Sequence, residues 1–116
     1  MDLIKLSANE ALKMMEVDSL SSEEYVKAFL KQIELREDHV GAWIFLDPKL
    51  ALEQAREADK RRKDKSAGKL NGLPIGIKDI IDTKDMPTEN GSQLCKNRKP
   101  SKDAHLVKLL RDEGAV

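Results

Sequence analysis

The sequence predicts a mostly helical chain with one or two short, buried β-strands. Near the N-terminus, apolar residues recur at helical spacing behind residues that cap helices. A run of apolar and β-branched residues at 73–81 lacks a helical period and is short enough for a buried strand. The length of 116 residues suits one small domain with a modest core.

Charge balance and cysteine content exclude several classes of function. The chain carries 21 basic and 21 acidic residues, so its formal net charge is zero and nucleic acid is not expected as its primary ligand. A single cysteine excludes an internal disulfide framework and a cysteine-only zinc site. The first residues lack the pattern of a signal peptide, and no apolar run approaches the ~18 residues of a membrane span. We therefore expect a cytoplasmic protein that does not bind membranes.

Two helices are predicted in the first forty residues. Ser7 with Glu10, and Ser21 with Glu24, have the spacing of capping boxes, in which hydroxyl and carboxylate satisfy backbone N–H groups at a helix start. The second helix carries the clearest amphipathic stripe in the sequence, at i, i+3, i+4 and i+7. Its members are Val26, Phe29, Leu30 and Ile33.

A third helix is predicted to begin at Asp47 and Pro48, because aspartate caps helices and proline is favoured at the first helical position. The apolar residues 42–46 before it indicate a short strand or a buried connector. The helix should end in the basic residues 60–65, which complement its macrodipole. Contact with phosphate is the alternative role of that cluster, but a solvated helix end is favoured because no aromatic residues are interleaved.

Residues 82–102 are rich in turn formers and predict a long loop, which is typically functional or disordered. A last helix should begin near Ser101 or Asp103 and stop at Gly114, since glycine favours the position just past a helix. The final residues 115–116 are apolar. They indicate either the start of another strand or a frayed tail, and both interpretations stay open at this point.

Lys78 is the most unusual residue, because it lies inside the apolar run. Burying a lysine ammonium is costly unless it loses its proton or finds a partner, and desolvated lysines act as bases and nucleophiles. The alternative is an outward-pointing side chain paired with Asp79. On the residues alone, this surface pair is favoured.

No other residue forms a recognisable chemical motif. His39, His105 and Cys95 are not spaced as metal ligands, and Cys95 is interpreted as an incidental thiol despite nearby basic residues. The glycines are not followed by the Lys-Ser or Lys-Thr pair of a phosphate-binding loop. Neither a metal nor another cofactor is expected.

The segment 71–92, NGLPIGIKDIIDTKDMPTENGS, resembles the lysine-containing segment of the amidase signature family. Ten positions match the family pattern: Gly72, Pro74, Lys78, Asp79, Asp82, Thr83, Pro87, Thr88, Gly91 and Ser92. The flanking helices agree, so the resemblance covers nearly the whole chain from about residue 7. It implies an α/β fold, the N-terminal part of an α/β/α sandwich with a mixed sheet flanked by helices. Residues 1–116 would then be the N-terminal fragment of a single amidase domain, helical over 1–69, with the lysine strand, loop and last helix in 70–116.

The resemblance also implies a mechanism. Family members use a Ser–cis-Ser–Lys triad, in which an unprotonated lysine activates a nucleophilic serine that attacks an amide carbonyl. Lys78 matches the family lysine, so the resemblance makes it the expected catalytic base. Both family serines lie tens of residues after the lysine and are absent from these residues. Ser92 and Ser101 do not fill their roles, and the fragment alone is not expected to turn over substrate.

Three functions remain as hypotheses. The first is the N-terminal part of an amidase that hydrolyses a small-molecule amide. The second is the A subunit of a tRNA-dependent amidotransferase, and the third is a non-catalytic helical interaction module that binds a partner through the stripe on the second helix. Many relatives have asparagine where this chain has Ile80, which favours the hydrolytic amidases. A homodimer is left open.

Overall fold

The computed structural model describes all 116 residues, and they form four α-helices and no β-strand. The helices are α1 (Ala8–Glu16), α2 (Ser22–Val40), α3 (Pro48–Lys63) and α4 (His105–Asp112). Short 3₁₀ turns occur at Leu3–Lys5 and Gln93–Cys95. No helix has both the length and the apolar character that a membrane crossing requires.

The first three helices begin where the sequence predicts. Both capping boxes form, with the Glu10 carboxylate accepting the Ser7 N–H at 2.8 Å and the Glu24 carboxylate accepting the Ser21 N–H at 3.0 Å. The Ser7 hydroxyl and N–H lower the pKa of Glu10, and the Ser21 N–H and hydroxyl lower the pKa of Glu24, because all four groups donate hydrogen bonds to the carboxylates. At α3 the Asp47 carboxylate caps the first turn from in front of Pro48. Local hydrogen bonding therefore sets these helix starts.

A small core joins α1 to α2. The buried residues Ala11, Met15, Leu20 and Tyr25 form one cluster, and the Tyr25 ring meets the Phe29 ring edge-on at a centroid distance of 4.9 Å. Leu73, from the segment after α3, packs against this cluster. The core thus reaches the part of the chain that carries Lys78.

The turn at Asn71 and Gly72 is tied to both long helices. The buried Ser22 hydroxyl donates to the Gly72 carbonyl at 2.7 Å, and the Asn71 side-chain amide donates to the Ala58 carbonyl at 2.8 Å. The Asp59 carboxylate of α3 accepts the Ser22 backbone N–H at 2.8 Å. One turn is therefore fixed to the N-terminus of α2 and to the middle of α3.

The basic end of α3 is only partly solvated. Arg62 pairs with Asp59 at 3.0 Å, and its side chain is only 16% exposed. Arg61 donates to the Asn71 side-chain oxygen at 3.2 Å. Since these two guanidinium groups are engaged within the chain, the cluster does not form an open phosphate site.

The predicted strand at 73–81 is not formed, and this prediction is wrong for these residues. Residues 73–78 are extended, but residues 79–80 make a turn closed by the Ile81 N–H on the Lys78 carbonyl at 3.0 Å. The only backbone hydrogen bonds that join this segment to a distant part of the chain are those with the C-terminal end. The Val116 N–H donates to the Leu73 carbonyl at 2.9 Å, and the Val116 carbonyl accepts the Ile75 N–H at 2.9 Å. This alternating exchange is the parallel pattern, but it is too short to make a sheet.

The connector 42–46 is neither a strand nor a buried segment. Ile44 is 70% exposed, and the rings of Trp43 and Phe45 are also exposed in part. Its one backbone anchor is the Trp43 N–H, which donates to the Glu37 carboxylate at 2.8 Å. No neighbouring element covers its outer side, so the apolar residues stay at the surface.

Helix α4 begins at His105, later than the predicted Ser101 or Asp103. Asp103 does not cap the helix because its carboxylate accepts the Lys84 N–H at 2.9 Å and pairs with Arg111. The helix ends as predicted, with Gly114 following it at φ +87°. A side chain there would also strike the Asn71 side-chain oxygen, 2.8 Å from the Cβ position.

We expect Gly72→Ala to destabilise the protein by about 3 kcal/mol, because φ is +86° there and a Cβ would lie 2.8 Å from the Ser22 Cβ. Gly41→Ala is the matched control: φ is +59° and no atom lies within 4 Å of the Cβ position. It should cost only about 1 kcal/mol, the strain of the left-handed backbone. Urea denaturation of both variants measures the difference, and equal losses would contradict a close approach at Gly72.

Candidate active site

Lys78 lies at the end of the extended segment with its side chain exposed. The side-chain nitrogen of Lys78 makes no hydrogen bond or ion pair within the chain. The outward orientation agrees with the surface interpretation, but the expected ion pair with Asp79 does not form. Lys78 is therefore an exposed lysine without an acidic partner.

A hollow of about 380 Å³ lies beside Lys78. Its walls are the connector residues 42–45, the segment 76–79 and the loop residues 86–88, together with Ile81 and Thr83. Trp43 lies close over Gly76, since a Cβ there would be 3.3 Å from its ring. Lys78 and Asp79 are the only ionisable residues in the lining. The lysine thus borders a largely apolar hollow.

A second, more apolar groove of about 390 Å³ adjoins the hollow, and Trp43, Gly76 and Met86 line both. Sixteen of its 24 lining residues are hydrophobic, among them all four members of the α2 stripe and Val116.

Asp79 is bonded to the loop rather than to Lys78. Its carboxylate accepts the backbone N–H of Glu89 at 3.0 Å and that of Gly91 at 3.3 Å, and its carbonyl accepts the N–H of Asn90 at 3.0 Å. Asn90 and Gly91 both have positive φ, +55° and +64°. Three consecutive N–H groups therefore converge on one residue. Sequence reasoning missed this contact, although the Asn-Gly pair signals such a turn.

The rest of the predicted loop is ordered by a second set of bonds. Arg98 binds the Asp82 carboxylate through both terminal nitrogens, at 2.8 and 3.0 Å, and its carbonyl accepts the N–H of the buried Thr88 at 2.9 Å. The guanidinium lowers the pKa of the Asp82 carboxyl, and the carboxylate raises the pKa of Arg98. Residues 82–102 contain no α-helix, as predicted, but they include the 3₁₀ turn Gln93–Cys95.

The other residues considered from the sequence lie apart from any catalytic arrangement. The Ser92 hydroxyl caps the 3₁₀ turn, accepting the Leu94 N–H at 3.2 Å, and Ser101 is exposed. Cys95 is a half-buried free thiol whose sulfur accepts from the Asn90 side chain at 3.6 Å. His39 and His105 are exposed at helix ends, and no cluster of three metal-ligating side chains occurs.

The family model for Amidase matches residues 24–116, which include Lys78, Asp79 and the loop that Asp79 holds. The chain therefore belongs to the amidase family. This agrees with the resemblance carried by the segment 71–92.

Individual relatives are similar over almost the whole chain. The A subunit of glutamyl-tRNA(Gln) amidotransferase from Dehalococcoides mccartyi strain BAV1 is 37% identical over 115 residues, which are 99% of this chain and 24% of that protein. The corresponding protein from Clostridium botulinum strain Okra is 34% identical over 117 residues, 100% of this chain and 24% of that protein. The chain thus spans about a quarter of the length of the curated relatives it matches.

Solved structures share the fold of these residues. The native peptide amidase from Stenotrophomonas maltophilia superposes with a TM-score of 0.89 at 34% identity, covering 97% of this chain and 23% of that one. A fatty acid amide hydrolase superposes with a TM-score of 0.91 at 30% identity, covering 98% and 20%. The four helices and the ordered loop therefore correspond to a part of larger amidase folds.

We expect Asp82→Asn to speed hydrogen exchange at the Thr88 amide at neutral pH, because the bidentate bond to Arg98 is lost. In the folded protein, the pKa of Asp82 lies below its usual 3.8. The stabilisation by the ion pair with Arg98 is therefore fully present above pH 3.8, and it is lost as the pH falls through the lowered pKa. Exchange measured by NMR in both proteins should therefore converge at acid pH. A difference that persists after Asp82 is protonated would show that the ion pair is not the cause.

Proposed function

We propose that this chain supplies the catalytic base of an amidase that hydrolyses the C–N bond of a small-molecule amide through a serine acyl-enzyme. Lys78 is the residue concerned. The proposal depends mainly on one observation, an uncompensated lysine in the family's lysine motif that borders an apolar hollow. Residues 1–116 would form the N-terminal part of a single amidase domain, helical over 1–69 and lysine-bearing over 70–116.

The chemistry requires a lysine without its proton. Such a base accepts the proton of a serine hydroxyl, through a bridging serine in this family, and the serine oxygen then attacks the amide carbonyl. An ammonium group loses its proton more easily when it is removed from water and has no counter-ion. Lys78 already lacks a counter-ion, so burial by the rest of the enzyme would complete the condition. Both serines would come from outside these 116 residues, which alone should be inactive.

We further propose that Lys78 lies on a strand of an α/β sheet in the longer protein. Val116 already exchanges two parallel hydrogen bonds with Leu73 and Ile75, and the backbone N–H groups of residues 76–78 have no partner. A strand following Val116 would extend this pairing past Gly76 to the Ile77 N–H, which faces the same side as the Ile75 N–H. Further chain would cover the apolar groove, whose lining includes Val116. Helix α4 would then be the crossover of a βαβ unit.

Hydrogen exchange tests the proposed strand. In the longer polypeptide, the amide of Ile77 should exchange at least tenfold more slowly than in residues 1–116 alone. The Gly72 amide is the control, because it already donates to the Gly114 carbonyl at 2.9 Å and should change little. Unchanged exchange at Ile77 would contradict the pairing.

In the complete enzyme, Lys78→Ala should lower kcat for amide hydrolysis by at least a thousandfold while the fold is retained, because the proton acceptor is removed. Lys84→Ala is the matched control, since Lys84 is also exposed, lies in the same motif and makes no side-chain bond. Turnover of a chromogenic arylamide and circular dichroism check both expectations. Equal activity in the two variants would exclude Lys78 as the base. A wild-type protein that does not turn over any amide would favour the alternative of a non-catalytic helical interaction module.

The second candidate function is the A subunit of a tRNA-dependent amidotransferase. It is favoured by the 37% identity to the Dehalococcoides mccartyi protein, which is slightly above the 34% to the peptide amidase. Glutaminase activity that appears only with partner subunits and tRNA would support this alternative. Hydrolysis of simple amides by the isolated enzyme would support the first. The cytoplasmic location and a homodimer stay predictions.

A further inference from the structure

We propose that Asp79 is a positioning residue for Lys78, which locks the loop 88–92 onto the lysine-bearing segment and keeps its own carboxylate away from the lysine ammonium. The proposal rests on the proposed function of Lys78 as a base. It assigns a role to Asp79, for which the family resemblance implies none.

The geometry shows how Asp79 is occupied. Each carboxylate oxygen accepts a different loop N–H, from Glu89 at 3.0 Å and from Gly91 at 3.3 Å. The Asn90 N–H between them donates to the Asp79 carbonyl at 3.0 Å. Consecutive N–H groups in such a turn form a concave anion-binding nest. The nest is filled by a side chain of the same polypeptide.

The charge of Asp79 is thereby directed away from Lys78. A carboxylate beside a lysine normally pairs with the ammonium and stabilises the protonated form, which is unsuitable for a base. Asp79 is the only acidic residue in the lining of the hollow beside Lys78. Once its two oxygens bind the loop, no other acid in that hollow can hold the lysine in its charged form.

The same bonds shape the hollow. Residues 86–88 form one of its walls and directly precede the loop N–H groups that Asp79 holds. The buried Thr88 is also fixed by the Arg98 carbonyl. Releasing Asp79 would therefore loosen the wall that faces Lys78, whereas the ion pair of Asp82 with Arg98 would remain.

The experiment compares three variants of the complete enzyme: Asp79→Asn, Asp79→Glu and Asp82→Asn. Asp82→Asn is the matched control, because it releases a different anchor of the same loop. Chromogenic arylamide turnover gives kcat and KM across pH, thermal denaturation reports folding, and NMR hydrogen exchange reports the Glu89 and Gly91 amides.

Asp79→Glu should move the acidic limb of the kcat profile upward by about one pH unit. The longer side chain does not fit the nest, and its free carboxylate then stabilises the Lys78 ammonium. Asp79→Asn should lower kcat about tenfold at neutral pH, with KM changed less than threefold and no upward shift of that limb. Both variants should speed exchange at Glu89 and Gly91 at least tenfold. Asp82→Asn should leave the pH limb and those two amides unchanged.

Two outcomes would overturn the proposal. One is a pH limb that does not move in Asp79→Glu although the protein remains folded. The other is unchanged exchange at the Glu89 and Gly91 amides in both Asp79 variants. A wild-type enzyme that hydrolyses no amide would instead count against the proposed function. In that case, exchange still decides whether Asp79 holds the loop.

Discussion

The hydrogen bonds at Asn71 and Gly72 are the constraint on which the rest of the structure depends. They join the start of α2, the middle of α3 and the residues after α4 at one turn. Because Ser22 and Gly72 are fully or almost fully buried, the polar groups there must be paired with each other rather than with water. The direction in which the chain leaves this turn determines where Lys78 lies.

Features that depend on a few neighbouring residues could be predicted from the sequence. The capping boxes and the Asp47–Pro48 start of α3 are local, since the capping side chains bond to backbone within one turn. The glycine after α4 is local as well, because it is favoured there by its own positive φ. Helix α4 begins later than the capping pattern predicts, because Asp103 bonds to Lys84, nineteen residues away in sequence, instead of capping the helix. The predicted strand at 73–81 does not form because a strand needs a neighbouring strand to pair with. In these residues, the backbone pairing reaches only Val116.

The sequence predicts which residue is the candidate base, but it does not predict how the residues around that base are arranged. The motif alone selected Lys78, and its unusual place in an apolar run supported that choice. The engagement of Asp79 could not be foreseen from composition, because an acid next to a lysine is usually assumed to pair with it. It depends on a turn ten residues later, in which the Glu89 and Gly91 N–H groups donate to the Asp79 carboxylate and the Asn90 N–H donates to its carbonyl.

The convergence of three N–H groups on Asp79 also restricts how the family's chains can change in length. One residue inserted between Asp79 and Glu89 would bring a different set of amides to the carboxylate and rotate the turn away from it. Ser101 and Lys102 are exposed and make no hydrogen bond, so an insertion there would disturb neither anchor of the loop. Among related enzymes, insertions should therefore accumulate just before α4, while the spacing from the lysine to the Asn-Gly turn stays constant.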